Sequence, residues 1–184
     1  MNFQKHLNLE GLHAPFSASQ SSWLRYDDER AIEVYTTRKA TEMGTILHAW
    51  AKDTIDLRIK QPKSKKTLYA YVNDAIGFKM DTEVVLFYSD RFFGTADAIC
   101  FRNNVLRIHD LKTGKTPAKM EQLEVYAALF CLEYKMEPTS IEMELRIYQN
   151  DEVVVHNPEP EKIKQIMNKI IHLDKLLQQL DEEG

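Results

Sequence analysis

The sequence is poor in cysteine, in long apolar runs and in excess positive charge, and each shortage removes a class of protein. Only Cys100 and Cys131 occur among 184 residues. They have no paired spacing and no signal-like apolar segment accompanies them, which points away from a disulfide framework and toward a reducing, cytoplasmic setting. The longest apolar run, Val84-Val-Leu-Phe-Tyr88, is strand-sized and too short to span a bilayer, so no membrane partner is expected. A formal net charge of -4 argues against a chain coated in basic residues for tight nonspecific nucleic-acid binding. Any contact with a polyanion has to be local. Internal repeats and low-complexity segments are absent as well. What is present, 43% hydrophobic residues, is enough for one domain with a real core.

The most informative stretch runs from Gly94 to Lys115. Two runs rich in β-branched and aromatic residues flank Asn103-Asn104, a pair that accepts the positive φ angles of a tight turn, so a β-hairpin is expected. With the turn centred there, Phe101 faces Leu106, Ile99 faces Ile108 and Asp97 faces Asp110. Like charges placed opposite each other repel. Lys112, two residues beyond Asp110, projects on the same side of the strand. A divalent cation held between the carboxylates would remove the repulsion, with the ammonium orienting a water. A surface salt-bridge cluster of two aspartates and a lysine is the alternative reading.

Elsewhere, Ser17 or Ser19 caps a helix carrying Trp23, Leu24, Ile32 and Val34, with a break near Asp27-Asp28 and Trp23 as a core anchor. A helix from about Arg38 to Ile59 is expected to bury Met43, Leu47, Trp50, Thr54 and Leu57, with Gly44, His48, Ala51 and Ile55 as the adjacent stripe. A basic linker, with Arg58, Lys60, Lys63, Lys65 and Lys66, leads to a short helix ending near Gly77. A strand over Thr82 to Tyr88 precedes the hairpin. Thr116 and Pro117 suit a helix start, and the helix to about Tyr134 buries Met120, Leu123, Ala127, Phe130, Cys131 and Tyr134. Ile141 to Tyr148 and Glu152 to His156 form a strand pair around Asn150-Asp151. From Pro158, a helix with Ile163, Ile166, Ile170, Leu173, Leu177 and Leu180 on one seam packs on its own domain, with self-association through that seam as the second use. This order predicts one domain over 1–184, an α/β fold with a central mixed sheet flanked by helices.

Asp110-Leu111-Lys112-Thr113-Gly114-Lys115 resembles the second motif of the PD-(D/E)xK nuclease superfamily, in the form found in its RecB-like branch. Gly44-Thr-Ile-Leu-His48 resembles the GxxxH motif of that branch, Gly94-Thr-Ala-Asp97 its first-aspartate motif, and Gln122-Leu-Glu-Val-Tyr126 its QxxxY motif, all in the expected order. Weaker likeness reaches Phe16-Ser-Ala-Ser19 and Trp23. Ala96 stands where the superfamily name has proline, and Lys52 where many relatives carry an acid, with Asp53 as a substitute. The iron–sulfur cluster of some relatives has no cysteines here to hold it.

The resemblance implies a restriction-endonuclease-like core and a stand-alone, phage-type exonuclease that hydrolyses DNA with Mg²⁺ or Mn²⁺. It implies that Asp97, Asp110, His48 and the Leu111 carbonyl hold the metal, and that Lys112 acts on the nucleophile. Gln122 and Tyr126 border the site, while Lys115, Lys119, Lys63, Lys65 and Lys66 are the candidates for phosphate contacts. A nuclease fold that has lost catalysis and serves as a DNA-binding or protein-docking subunit is the competing reading.

Overall fold

The computed structural model describes residues 14–183. The chain divides into two compact units, one ending at Thr45 and one beginning at Ile46.

The first unit is helical. Ser17 caps a 3₁₀ segment, Ala18–Arg25, by accepting the Ser19 N–H at 3.3 Å. Trp23 donates its ring N–H to the Ser17 carbonyl at 2.8 Å and meets Phe16 edge-on. It stays half-buried, and the 3₁₀ segment has no buried residue, so Trp23 is not the expected core anchor. The chain breaks at Tyr26, and Asp27 caps helix α1 (Asp28–Asp56) by accepting the Arg30 N–H at 2.8 Å. The helix therefore starts well before the expected Arg38. It also stops before Ile59, because Arg58 turns left-handed at φ 56° without any glycine to announce it.

The second unit holds residues 46–56 of α1, then α2 (Thr67–Phe78), β1 (Asp81–Ser89), β2 (Phe92–Arg102), β3 (Val105–Leu111), α3 (Glu121–Glu133), β4 (Glu142–Gln149), β5 (Glu152–His156) and α4 (Pro160–Glu183). The strands lie side by side in chain order. β1, β2 and β3 form an antiparallel meander, α3 carries the crossover that makes β4 parallel to β3, and β5 returns antiparallel to β4. This is an α/β fold with a five-stranded mixed sheet. On one face, Leu106, Ile108 and Leu145 pack with Leu123 and Ala127 of α3 and Ile163 of α4. On the other, Ala98, Leu111 and Tyr148 pack with Ala51 and Ile55 of α1 and Tyr71 and Val72 of α2.

Several sequence expectations give way to this packing. α1 presents Ala51, Thr54 and Ile55 to the core, whereas Trp50 and Leu57 are exposed, as is Met43. Two apolar stripes lie side by side on that helix, and the one with the small Ala51 faces the sheet while Trp50 packs on Tyr69. α2 does end near Gly77, at Phe78, with Lys79 beyond it in the left-handed region. α3 begins at Glu121, not at Thr116-Pro117, and Tyr134 beyond its end is exposed. The seam of α4 is buried at Ile163 and Ile170 but exposed at Leu177 and Leu180. Among the described residues, no helix is long and apolar enough to cross a membrane.

Candidate active site

The site forms where the β2–β3 ladder ends. Asn103 and Asn104 take φ of 51° and 62°, the pair of left-handed residues that a twisted two-residue hairpin turn requires. The pairing then follows the expected register, with Phe101 opposite Leu106, Ile99 opposite Ile108 and Ala98 opposite His109. At the next position the ladder stops. The Asp97 carboxylate accepts the Leu111 N–H at 3.0 Å instead of continuing the strand pairing.

The irregularity begins one strand away. Glu83 of β1 has φ 52°, and the β1–β2 register passes from Thr82–Ala98 to Val84–Ala96 with no pair between Glu83 and Asp97. Ala96 consequently packs on the α3/α4 side and Ala98 on the α1/α2 side, although a regular strand would turn both the same way. Asp97 sits at the change of face.

Asp97 meets His48 of α1, whose Nδ1 is 3.5 Å from Asp97 Oδ2. His48 lies one turn ahead of Ala51 and two ahead of Ile55, so the packing of those residues carries the imidazole to the sheet's end. Asp110 is 2% exposed. Its Oδ1 accepts the Lys112 ammonium at 3.1 Å, and its Oδ2 lies 3.0 Å from the same nitrogen as an ion pair, with no other partner. Burial, reinforced by the Asp110 charge, pushes the Asp97 carboxyl up to about 6, against the Leu111 N–H, His48 and Lys112. Burial raises Asp110 too, against the pull of Lys112. At both carboxylates burial outweighs the positive charge of Lys112 nearby.

Lys112 is held from several sides. Its ammonium donates to Gln122 Oε1 at 2.9 Å, and Gln122 Nε2 donates to the Tyr126 hydroxyl at 3.0 Å. Its N–H donates to the Tyr148 carbonyl at 2.9 Å, extending the parallel pairing of β3 with β4. Gly94 completes this arrangement, because a Cβ there would stand 2.7 Å from Tyr126 Cε1. Gln122, Tyr126 and Gly94 therefore serve the position of Lys112.

The remaining residues named from sequence divide clearly. Leu111 closes β3 with its side chain buried and its peptide unit between Asp110 and Lys112. Lys115 and Lys119 are exposed on the loop joining β3 to α3. Lys63, Lys65 and Lys66 are exposed on the segment before α2, which Gln61 and Asn73 tie down through bonds of 2.8 and 3.0 Å. Lys52 turns to Asp56 at 2.6 Å, and Asp53 is exposed.

Other contributors were not evident from sequence. Gln149 pins the 112–120 loop by donating to the Gly114 and Thr116 carbonyls at 2.6 and 2.8 Å and accepting the Ala118 N–H at 3.0 Å. This anchoring accompanies the late start of α3. The buried Tyr71 of α2 has its hydroxyl raised by burial and then by the charges of Asp97 and Asp110. Behind β3, Tyr148 donates its hydroxyl proton to Asp74 at 2.7 Å and meets His109 Nδ1 at 3.2 Å, which makes His109 the Nδ1–H donor and leaves its buried Nε2 unpaired. None of these residue types stands out in a motif.

Among the described residues, no three His, Cys, Asp or Glu side chains are gathered into a ready-made metal cage. The donor set nevertheless suits a hard or borderline divalent ion. It offers two carboxylates, that of Asp110 buried, and an imidazole.

No family model matches the chain, and no curated protein matches it. Among solved structures, the chain is similar to the crystal structure of SSO0001, with 14% sequence identity and a TM-score of 0.38, over 82% of this chain and 67% of that one.

Proposed function

We propose that this chain is a Mg²⁺- or Mn²⁺-dependent deoxyribonuclease, an exonuclease of the PD-(D/E)xK superfamily with a RecB-like, restriction-endonuclease-like core. The observation that carries the reading is the convergence of His48, Asp97, the buried Asp110 and Lys112 at one end of the hairpin.

In this reading Asp97, Asp110, His48 and the Leu111 carbonyl hold the ion. When bound, it neutralises charge growing on the phosphate and makes water more acidic. The rest falls to the chain itself. Lys112 orients the attacking water and stabilises its deprotonated form through the ammonium. Gln122 keeps that ammonium aimed at the site, and Tyr126 keeps Gln122. Lys115 and Lys119 supply phosphate contacts beside the site, and Lys63, Lys65 and Lys66 supply others, because neutralised phosphates dominate nucleic-acid affinity. The cytoplasm is the setting, that of a bacterial host if the protein is phage-encoded.

One observation favours a second reading. Lys112 already closes on Asp110, at 3.0 Å, and Lys52 stands where an acid is common, as in a nuclease fold kept for DNA binding or protein docking. Digestion of end-labelled linear and circular DNA, single- and double-stranded, in Mg²⁺, Mn²⁺ or EDTA separates the two. Metal-dependent loss of linear DNA with circles spared supports the exonuclease. DNA retained uncut under every condition supports the inactive subunit.

A further inference from the structure

The outer edge of the sheet at β5 is short and begins with Glu152, but its three central residues carry neither charge nor proline to keep another strand away. Glu152–His156 reads Glu-Val-Val-Val-His, with no lysine or proline, and its ladder partner is β4. Val153, Val154 and Val155 are 40%, 52% and 50% exposed, so the strand is open on both faces as well as along its edge.

Its unused hydrogen bonds can be identified. Asn150 and Asp151 have φ of 51° and 61°, a two-residue turn whose flanking pair, Gln149 and Glu152, exchanges both main-chain bonds. Bonded and non-bonded pairs then alternate, so Ile147–Val154 and Leu145–His156 also bond across the ladder. Val153 and Val155 point their N–H and C=O groups outward. Among the described residues, no main-chain hydrogen bond from beyond the ladder meets them.

We infer that this edge pairs with β5 of a second copy of the chain, antiparallel and centred on Val154. A two-fold axis there sets Val153 against Val155 of the second copy, joining outward-pointing groups to outward-pointing groups and making four main-chain hydrogen bonds. A shift of one residue would set outward groups against inward ones and make none. The same register puts Glu152 of each copy opposite His156 of the other, whose imidazole already meets Glu124 of its own chain at 3.2 Å. The interface is isologous and closed, which limits growth to a dimer. A five-residue strand pair falls well short of the roughly 1,200 Å² that stable complexes bury, so the dimer is weak and concentration-dependent. The exposed leucines of α4 offer no comparable register to fix what covers them.

Cysteine scanning of the full chain tests the register. The two copies of residue 154 form a non-bonded pair with Cα atoms about 4.5 Å apart, within disulfide range. Val153 and Val155 instead face each other, so identical residues at either position stand farther apart. Under mild oxidation, Val154→Cys should cross-link at least tenfold faster than Val153→Cys or Val155→Cys. Cys100 and Cys131 are buried. In sedimentation velocity the wild type should move from monomer toward twice the chain mass between micromolar and several hundred micromolar. Val153→Pro should stay monomeric, since it removes only an outward N–H. Equal cross-linking at all three positions, a monomeric wild type throughout, or open-ended aggregates would overturn the proposal.

Discussion

Gly94→Ala probes how the helix α3 residues are coupled to the hairpin. An added methyl would stand 2.7 Å from Tyr126 Cε1 and 3.5 Å from Cδ1, against a comfortable carbon contact of about 3.5–4.0 Å. The ring is packed against the α3/α4 core, and Gly94 is locked in register opposite Leu86, so neither side yields freely. Overpacking of this kind costs roughly 1–3 kcal/mol. At about 2–4 °C per kcal/mol for a chain of this size, melting should fall by roughly 2 to 12 °C. Displacing the ring would also break the Tyr126–Gln122 bond of 3.0 Å and loosen the 2.9 Å bond that holds Lys112. Urea unfolding of the wild type, Gly94→Ala, Tyr126→Ala and the double variant gives the coupling. Gly94→Ala should cost at least about 1 kcal/mol with the tyrosine present and little once it is gone. The same cost in both backgrounds, or less than about 0.5 kcal/mol in the first, would show that Gly94 does not set the place of Tyr126.

Lys112→Ala should lower the cleavage rate by two or more orders of magnitude while DNA affinity measured with Ca²⁺ changes little, and equal losses in both would recast Lys112 as a phosphate clamp. His109 is held neutral by burial and by Arg146 and Arg107, down to about 3. The unfolded chain takes up its proton near 6.5, so this histidine's contribution to stability is intact above 6.5 and is lost as pH falls from 6.5 toward 3. Compared with His109→Phe, the wild type should lose up to about 1.4 kcal/mol more per pH unit in that window by urea titration, and parallel curves would remove His109 from the account.

The hairpin was legible because its signals agree. Asn103-Asn104 fixes the turn, and alternation fixes the register from Ala98 to Arg102. The strand pair around Asn150-Asp151 was legible for the same reason. What escaped prediction depends on contacts distant in sequence. The positive φ of Glu83 re-aims Asp97, yet a glutamate gives no local sign of it. Periodicity on α1 allowed two stripes, and only the sheet beneath selects Ala51 and Ile55 over Trp50 and Leu57. Pro117 suits a helix start, yet Gln149, from β4, binds the Gly114 and Thr116 carbonyls and α3 begins only at Glu121. His48 and Asp97, far apart in sequence, come within 3.5 Å. Their meeting was expected from resemblance to a family and not from spacing.

The proposed activity is hydrolysis of DNA at the end of the β2–β3 hairpin, with a divalent ion held by Asp97 and Asp110. Its most direct test is the release of acid-soluble nucleotide from linear DNA in Mn²⁺ by the wild type and by Asp110→Asn, a change that keeps the side-chain shape and removes the charge. The wild type should release nucleotide in Mn²⁺ and none in EDTA, and Asp110→Asn should be slower by about a thousandfold or more, a barrier difference of roughly 4 kcal/mol. No release by the wild type in Mn²⁺, or an undiminished rate in Asp110→Asn, would contradict it.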